Sequence, residues 1–212
     1  MSTRRAELTR AAARLFAEKG YHGTSIGDLA RELGVQKGSL YSHIASKADL
    51  LWEVAREGAE AFHAALDEIP EDGPAVERIR AALRAHLRVV ADQLDVATVF
   101  VREWRYLEGE RRDAFVAERR RYEERFRSLF REGRELGELR ADLDDATATL
   151  LALSAANWAY TWLRPEPAEG GRSSPGARGS AAGASSLRAD TDALADRFTA
   201  LLLDGMHGYA SR

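Results

Sequence analysis

The 212-residue chain contains no cysteine. That excludes a disulfide framework and any thiolate metal site. Its five histidines are scattered, with no HExxH pair, no glycine-rich phosphate loop and no local Ser/His/Asp signature, so the sequence points away from an enzyme. No cofactor is expected. No stretch alternates with the period of two that a half-buried strand needs. Long apolar runs are also missing. The least polar segment, residues 147–163 (TATLLALSAANWAYTWL), is interrupted by Thr, Ser and Asn and closed by Asp145 and Arg164, which reads as a buried helix and not a membrane span. MSTRRAELTR lacks the apolar centre of a secretory signal. The expectation is a cytoplasmic protein with no membrane partner.

Lysine is scarce: Lys19, Lys37 and Lys47 are the whole complement, all within the first fifty residues. Those fifty residues hold eight Lys/Arg against five Asp/Glu, a balance of +3, while the remainder carries −6 and the chain −3. A basic head on an acidic body suits a protein that meets nucleic acid with one end. At 45% hydrophobic, the chain can bury a substantial core.

The organising stretch is residues 24–47, TSIGDLARELGVQKGSLYSHIASK. Ser25 can cap a helix with Asp28 as its capping-box partner. Ile26, Leu29, Ala30 and Leu33 then share one helical face, and Gly34 can take the left-handed turn that ends it. A second short helix runs from about Gln36 or Lys37 to His43. Only Leu40 and Ile44 are clearly apolar there, and no carboxylate occurs between Leu33 and Asp49. A helix of this kind fits the major groove and reads base edges with hydrogen-bonding side chains, while phosphates are held by Lys, Tyr, Ser and helix N-termini. The stretch therefore reads as a helix-turn-helix.

Together with Leu8, Ala11, Ala12, Leu15, Phe16, Gly20 and Tyr21 before it and Leu50 and Leu51 after it, this segment resembles the TetR family of one-component transcriptional regulators. The strongest matches are LFAEKGY, the Gly34–Val35 turn and LYSHIASK; Ile44 stands where the family usually has Phe. The resemblance implies an all-α, ligand-responsive repressor that binds a near-palindromic double-stranded DNA operator as a dimer. Within that reading Lys37, Ser39, Ser42 and His43 face the groove. Thr24, Tyr41 and Lys47 hold phosphates, Lys47 together with the amides of the next helix, and Ser25 belongs to the same DNA-binding set. Arg4, Arg5 and Arg10 are further candidates for phosphate contact.

The rest of the chain predicts helices throughout, about nine in all. Residues 1–45 form the helix-turn-helix domain and residues 46–212 a helical ligand-binding and dimerisation domain. A long fourth helix, capped at Ser46 and reaching about Glu68, runs from one into the other, with Gly58 on its apolar face as a place for close helix approach. Pro74 opens the fifth helix. The seventh runs from about Asp113 to Leu136, and Asp142 is placed to cap an eighth that reaches Leu163. Residues 165–186 (PEPAEGGRSSPGARGSAAGASS) are too poor in large apolar side chains to offset the entropy of ordering, so a flexible loop is expected over 164–187, followed by a last helix from Leu187 to Met206.

The family pairs its last two helices with those of a second subunit, so the resemblance implies a homodimer through them. Phe100, Trp104, Tyr122, Phe126, Trp158 and Trp162 are the candidates for an effector pocket, against the plainer reading of aromatics at helical spacing as core. The stretch YEERFRSLFREGRELGELRADLD followed by NWAYTWLRP is similar to the subgroup of the family that senses acyl-CoA thioesters, including fatty-acid and steroid catabolism repressors. A small apolar effector, in that subgroup an acyl-CoA, is thereby implied. Two alternatives stay open: a repressor of an efflux gene sensing amphipathic drugs, and a helical adaptor that binds no DNA.

Overall fold

The computed structural model describes residues 3–163, 181–204 and 206. Among them the chain is all helical, with no β-strand and no helix long and apolar enough to cross a membrane. The α-helices are α1 (Thr3–Lys19), α2 (Ile26–Glu32), α3 (Lys37–Leu40), α4 (Lys47–Asp67), α5 (Ala75–Asp92), α6 (Leu94–Arg102), α7 (Gly109–Glu135), α8 (Asp145–Asn157), α9 (Ala159–Trp162) and α10 (Ala181–Asp204). A 3-10 turn, Glu103–Tyr106, follows α6. The chain divides into two compact units, residues 1–64 with 93–122, and residues 65–92 with 123–212.

In the first unit, α1 buries Leu8, Ala11, Ala12, Leu15 and Phe16 at the helical spacing its sequence predicts. Leu29 and Ala30 of α2, Leu40 of α3 with Ile44 just beyond it, and Leu50, Leu51, Val54 and Ala55 of α4 complete this core. Ser25 closes the expected capping box: its hydroxyl accepts from Asp28 N–H (3.1 Å), and its own N–H donates to the Asp28 carboxylate (2.9 Å). Gly34, at φ +64°, ends α2, with Val35 N–H donating to Ala30 O (2.9 Å) and Gly34 N–H to Arg31 O (3.2 Å). Gly58 does let another helix come close. A Cβ built on it would lie 2.9 Å from Phe100 Cβ of α6. Around this contact Phe62, Phe100, Trp104, Phe115 and Tyr122 form one aromatic cluster, with centroids 4.7–5.7 Å apart pair by pair.

In the second unit, α5 presents Val76, Ile79, Leu83, Leu87 and Val90 to the core. It packs against α8 and α10. Two exposed ion pairs, Arg84–Asp196 and Arg88–Asp192, run between α5 and α10. Arg127, Arg131 and Arg134 of α7 converge on the buried Asp145 carboxylate at the start of α8.

Several element boundaries differ from expectation: α7 starts at Gly109 and not Asp113, and α3 ends at Leu40 and not His43. The cap of α8 is Asp144, whose carboxylate accepts from Thr147 N–H (2.7 Å), and not Asp142, which pairs with Arg140. The predicted eighth helix is interrupted at Trp158. Thr161, within α9, directs both its N–H (3.0 Å) and its hydroxyl (2.8 Å) to the Trp158 carbonyl, a three-residue bond that tightens the first turn of α9. The last helix begins at Ala181 and not Leu187, because the Ala-rich AAGASS segment continues it backwards. The rest of the expected loop, residues 164–180, lies outside the described residues.

Candidate nucleic-acid interface

Helix α3 is short, but the hydrogen bonds His43 N–H to Leu40 O (2.9 Å) and Ile44 N–H to Leu40 O (3.1 Å) carry its turns on towards Ile44. Leu40 and Ile44 anchor its inner side. Gln36, Lys37, Gly38, Ser39, Tyr41 and Ser42 are exposed and contiguous, and Tyr41 shows 53% of its surface. Lys37 engages no other side chain among the described residues, so its ammonium stands in solvent. Ser42 Oγ donates to Ser39 O (2.8 Å), and His43 is half-buried. Of the four side chains expected to face the groove, Lys37, Ser39 and Ser42 are exposed, Ser42 with its hydroxyl proton directed to Ser39 O. This patch carries no acid, and its nearest carboxylate on the α2 side, Glu32, is neutralised by Arg14.

Two of the residues expected to hold phosphates also make bonds within the chain. Thr24 is 2% exposed, and its hydroxyl lies within hydrogen-bonding distance of Leu15 O (3.1 Å) and Gly20 O (2.9 Å). The side chain is therefore a tie inside the turn between α1 and α2. Lys47 donates to Tyr21 O and Thr24 O, each at 2.8 Å, and lies 4.2 Å from the centre of the Tyr21 ring. Burial lowers its pKa from the ordinary lysine value. Both residues were legible as polar positions beside the motif, but only packing shows that the Thr24 hydroxyl and two of the three Lys47 donors are engaged within the chain. Ser25 is exposed yet serves as the helix cap, and the hydrogen bonds from Ser25 and Arg31 hold Asp28 far below the usual carboxylate range. In α1, Arg5 is paired with Glu53 and Arg4 with Glu7, whereas Arg10 is exposed.

Sequence reasoning missed the group that steadies this surface. Tyr21 sits at the turn, its N–H donating to Glu103 Oε2 (2.7 Å) and its ring stacked on Tyr106 (5.7 Å, 19°). A lone carboxylate inside the apolar run VFVREW was the available signal. The site opens beside an exposed cleft of about 760 Å³ lined by Tyr21, His22, Lys47, Arg105, Tyr106 and Arg111, among others.

The expected effector aromatics are divided between the two units: Phe100, Trp104 and Tyr122 in the first, Phe126 and Trp158 in the second. Phe100 and Tyr122 are buried in the aromatic cluster, joined by Trp104, whose ring lies 5.0 Å from the Arg119 guanidinium. Phe126 is buried against His86 in the other unit. Trp158 is 62% exposed. The side chain of Trp162 lies outside the described residues. A second cleft, about 380 Å³, lies between Leu66 and Glu132; Phe100, Trp104, Tyr122, Phe126 and Trp158 line neither it nor the cleft beside Tyr21.

A capped helix, a glycine turn and an exposed, acid-free second helix, carried on an all-α frame, define a helix-turn-helix DNA-binding protein. The comparisons agree. Residues 8–54 match the model for bacterial regulatory proteins of the tetR family, and residues 72–176 match a tetracyclin repressor-like C-terminal domain. The chain belongs to the TetR family of transcriptional regulators. It is similar to the HTH-type transcriptional repressor KstR2 of Rhodococcus jostii, 29% identical over 169 residues, covering 77% of this chain and 81% of that protein. The fatty acid metabolism regulator protein of Bacillus subtilis is 27% identical over 139 residues, covering 65% and 72%. Among solved structures, the TetR family regulator PfmR from Thermus thermophilus superposes with a TM-score of 0.75 at 30% identity, covering 97% of this chain and 99% of that one.

Proposed function

We propose that this TetR-family repressor binds a near-palindromic operator as a homodimer in the cytoplasm and leaves it when a small apolar effector, an acyl-CoA thioester, binds the body. The observation that carries the DNA half is the exposed face of Gln36, Lys37, Ser39, Tyr41 and Ser42, free of carboxylates and held out by buried Leu40 and Ile44. Two copies related by a two-fold axis would place two such faces about 34–36 Å apart, one helical turn of DNA. The dimer is supported by apolar side chains left uncovered in the single chain: Leu150 (69%), Leu151 (55%) and Trp158 (62%) on and just beyond α8, and Leu201 (78%) on α10. The effector class rests on similarity to a fatty acid metabolism regulator, together with the arginine-rich α7 and the motif that follows it.

The test is fluorescence anisotropy of the DNA upstream of the gene, titrated with protein with and without a panel of acyl-CoA thioesters. Tight binding that weakens steeply with salt and is released by one thioester is the expected result. Tight binding that no thioester disturbs would remove the acyl-CoA assignment and favour a sensor of amphipathic drugs. Binding that ignores salt would remove the operator itself.

A further inference from the structure

The turn that leads into the helix-turn-helix is held from outside the motif. Both backbone polar groups of Tyr21 are engaged by side chains of other elements: its carbonyl by Lys47 at the start of α4, its N–H by Glu103 in the turn after α6. Glu103 is 4% exposed, and its nearest cation, Arg102, is 3.5 Å from Oε1, too far for a close hydrogen bond. A carboxylate so enclosed finds its stabilisation in the peptide N–H it accepts, at the short distance of a charge-assisted bond. Tyr106, on the same 3-10 turn, stacks on the Tyr21 ring and lies edge-on to His22 (4.4 Å). The turn then passes the constraint forward. Thr24 bonds back to Gly20 O, and Ser25 opens α2. A shift of the 3-10 segment must therefore either break the Glu103 bond or carry the entry to α2 with it.

We infer that Glu103 is a positioning residue for DNA recognition: through the Tyr21 N–H it fixes where α2, and hence the exposed face of α3, begins. Tyr106 is its second point of hold. The inference rests on the operator reading above. It makes the segment after α6 a working part of the DNA-binding unit.

Glu103→Ala is expected to weaken binding to the upstream operator fragment at least tenfold, with the dependence on salt unchanged because no phosphate contact is lost. Hydrogen exchange at the Tyr21 amide should accelerate while the amides within α1 and α4 keep their protection. Glu103→Gln, whose side-chain oxygen can accept the same N–H, should recover most of the affinity. Affinity of Glu103→Ala within twofold of the unaltered protein would overturn the inference. So would a loss shared equally by Glu103→Gln and accompanied by faster exchange throughout the unit, which is the mark of a general loss of stability. If Glu103→Ala does not fold, Tyr106→Leu serves instead, with about threefold weaker binding expected and unchanged affinity overturning the idea. If the unaltered protein binds no upstream DNA, the operator reading falls first; if it binds and the variants bind equally well, the positioning role alone falls.

Discussion

Lys37 and Lys47 carry the same charge within one motif, and their surroundings give them different tasks. Lys37 is exposed on α3, whereas the half-buried Lys47 commits two of its three donors to Tyr21 O and Thr24 O. Lys37→Ala is expected to weaken operator binding and to reduce the slope of log affinity against log salt by about 1 if the ammonium meets a phosphate, or to relax one operator position if it meets a base. Lys47→Ala is expected to weaken binding with the slope intact; a reduced slope would return Lys47 to the phosphate-contacting set. His86 is a residue whose consequence appears in pH. It is 1% exposed, and burial pushes its pKa down to about 3, opposed by its side-chain interaction with Asn157. Since an unfolded histidine titrates near 6.5, the unfolded chain binds the extra proton between about pH 6.5 and 3. Stability is therefore full above pH 6.5 and falls as pH drops, by up to about 1.4 kcal/mol per pH unit. The carboxylates with lowered pKa values, Asp49 and Asp145 among them, add their losses only in stronger acid, where unfolded carboxylates begin to protonate. Urea midpoints at pH 7.0 and 5.5 should separate for the native protein and draw together for His86→Leu; an undiminished separation would exclude His86 as the cause.

At the scale of the element, α4 is decided by two small features at its ends and middle. Ser46 Oγ accepts from Asp49 N–H (3.1 Å) at the start, as its sequence predicts. Midway, Gly58 meets Phe100 of α6 so closely that a methyl group would lie 2.9 Å from its Cβ, a backbone-proximal atom that cannot swing aside. Gly58→Ala is expected to destabilise by about 1–2 kcal/mol, the overpacking cost exceeding the gain in helix propensity. Denaturant titration checks it, and a raised midpoint would mean that α6 moves away without loss. The caps at Ser25 and Ser46 were legible because capping is a local matter of residue type and spacing. The shift from Asp142 to Asp144 was not, because Asp142, Asp144 and Asp145 are all acceptable caps. The choice among them falls to Arg140, which takes Asp142, and to Arg127 and Arg134, which draw Asp145 into the core.

For the whole molecule, the uncovered apolar side chains of α8 and α10 lead to the prediction about assembly. Leu151→Glu alters a residue that is 55% exposed in the single chain, so folding should be little affected. Light scattering at micromolar concentration is expected to show a monomer with weakened operator binding; a persisting dimer would move the interface away from α8. The sequence by itself determined the all-α class, the helix-turn-helix, its cap and its glycine turn. Each of these depends on apolar spacing and on side chains bonding within a few residues of themselves. It also determined that α3 would face outward, since a helix with two apolar residues has only one side to bury. Only the tertiary structure decided which polar groups stay available. Thr24 and Lys47 look like Lys37 and Ser39 on paper, yet their partners are supplied by residues distant in sequence or by the path of the chain around Tyr21. The same holds for Glu103. Burial and hydrogen bonding between elements are set by how helices pack, and helical spacing leaves that packing open.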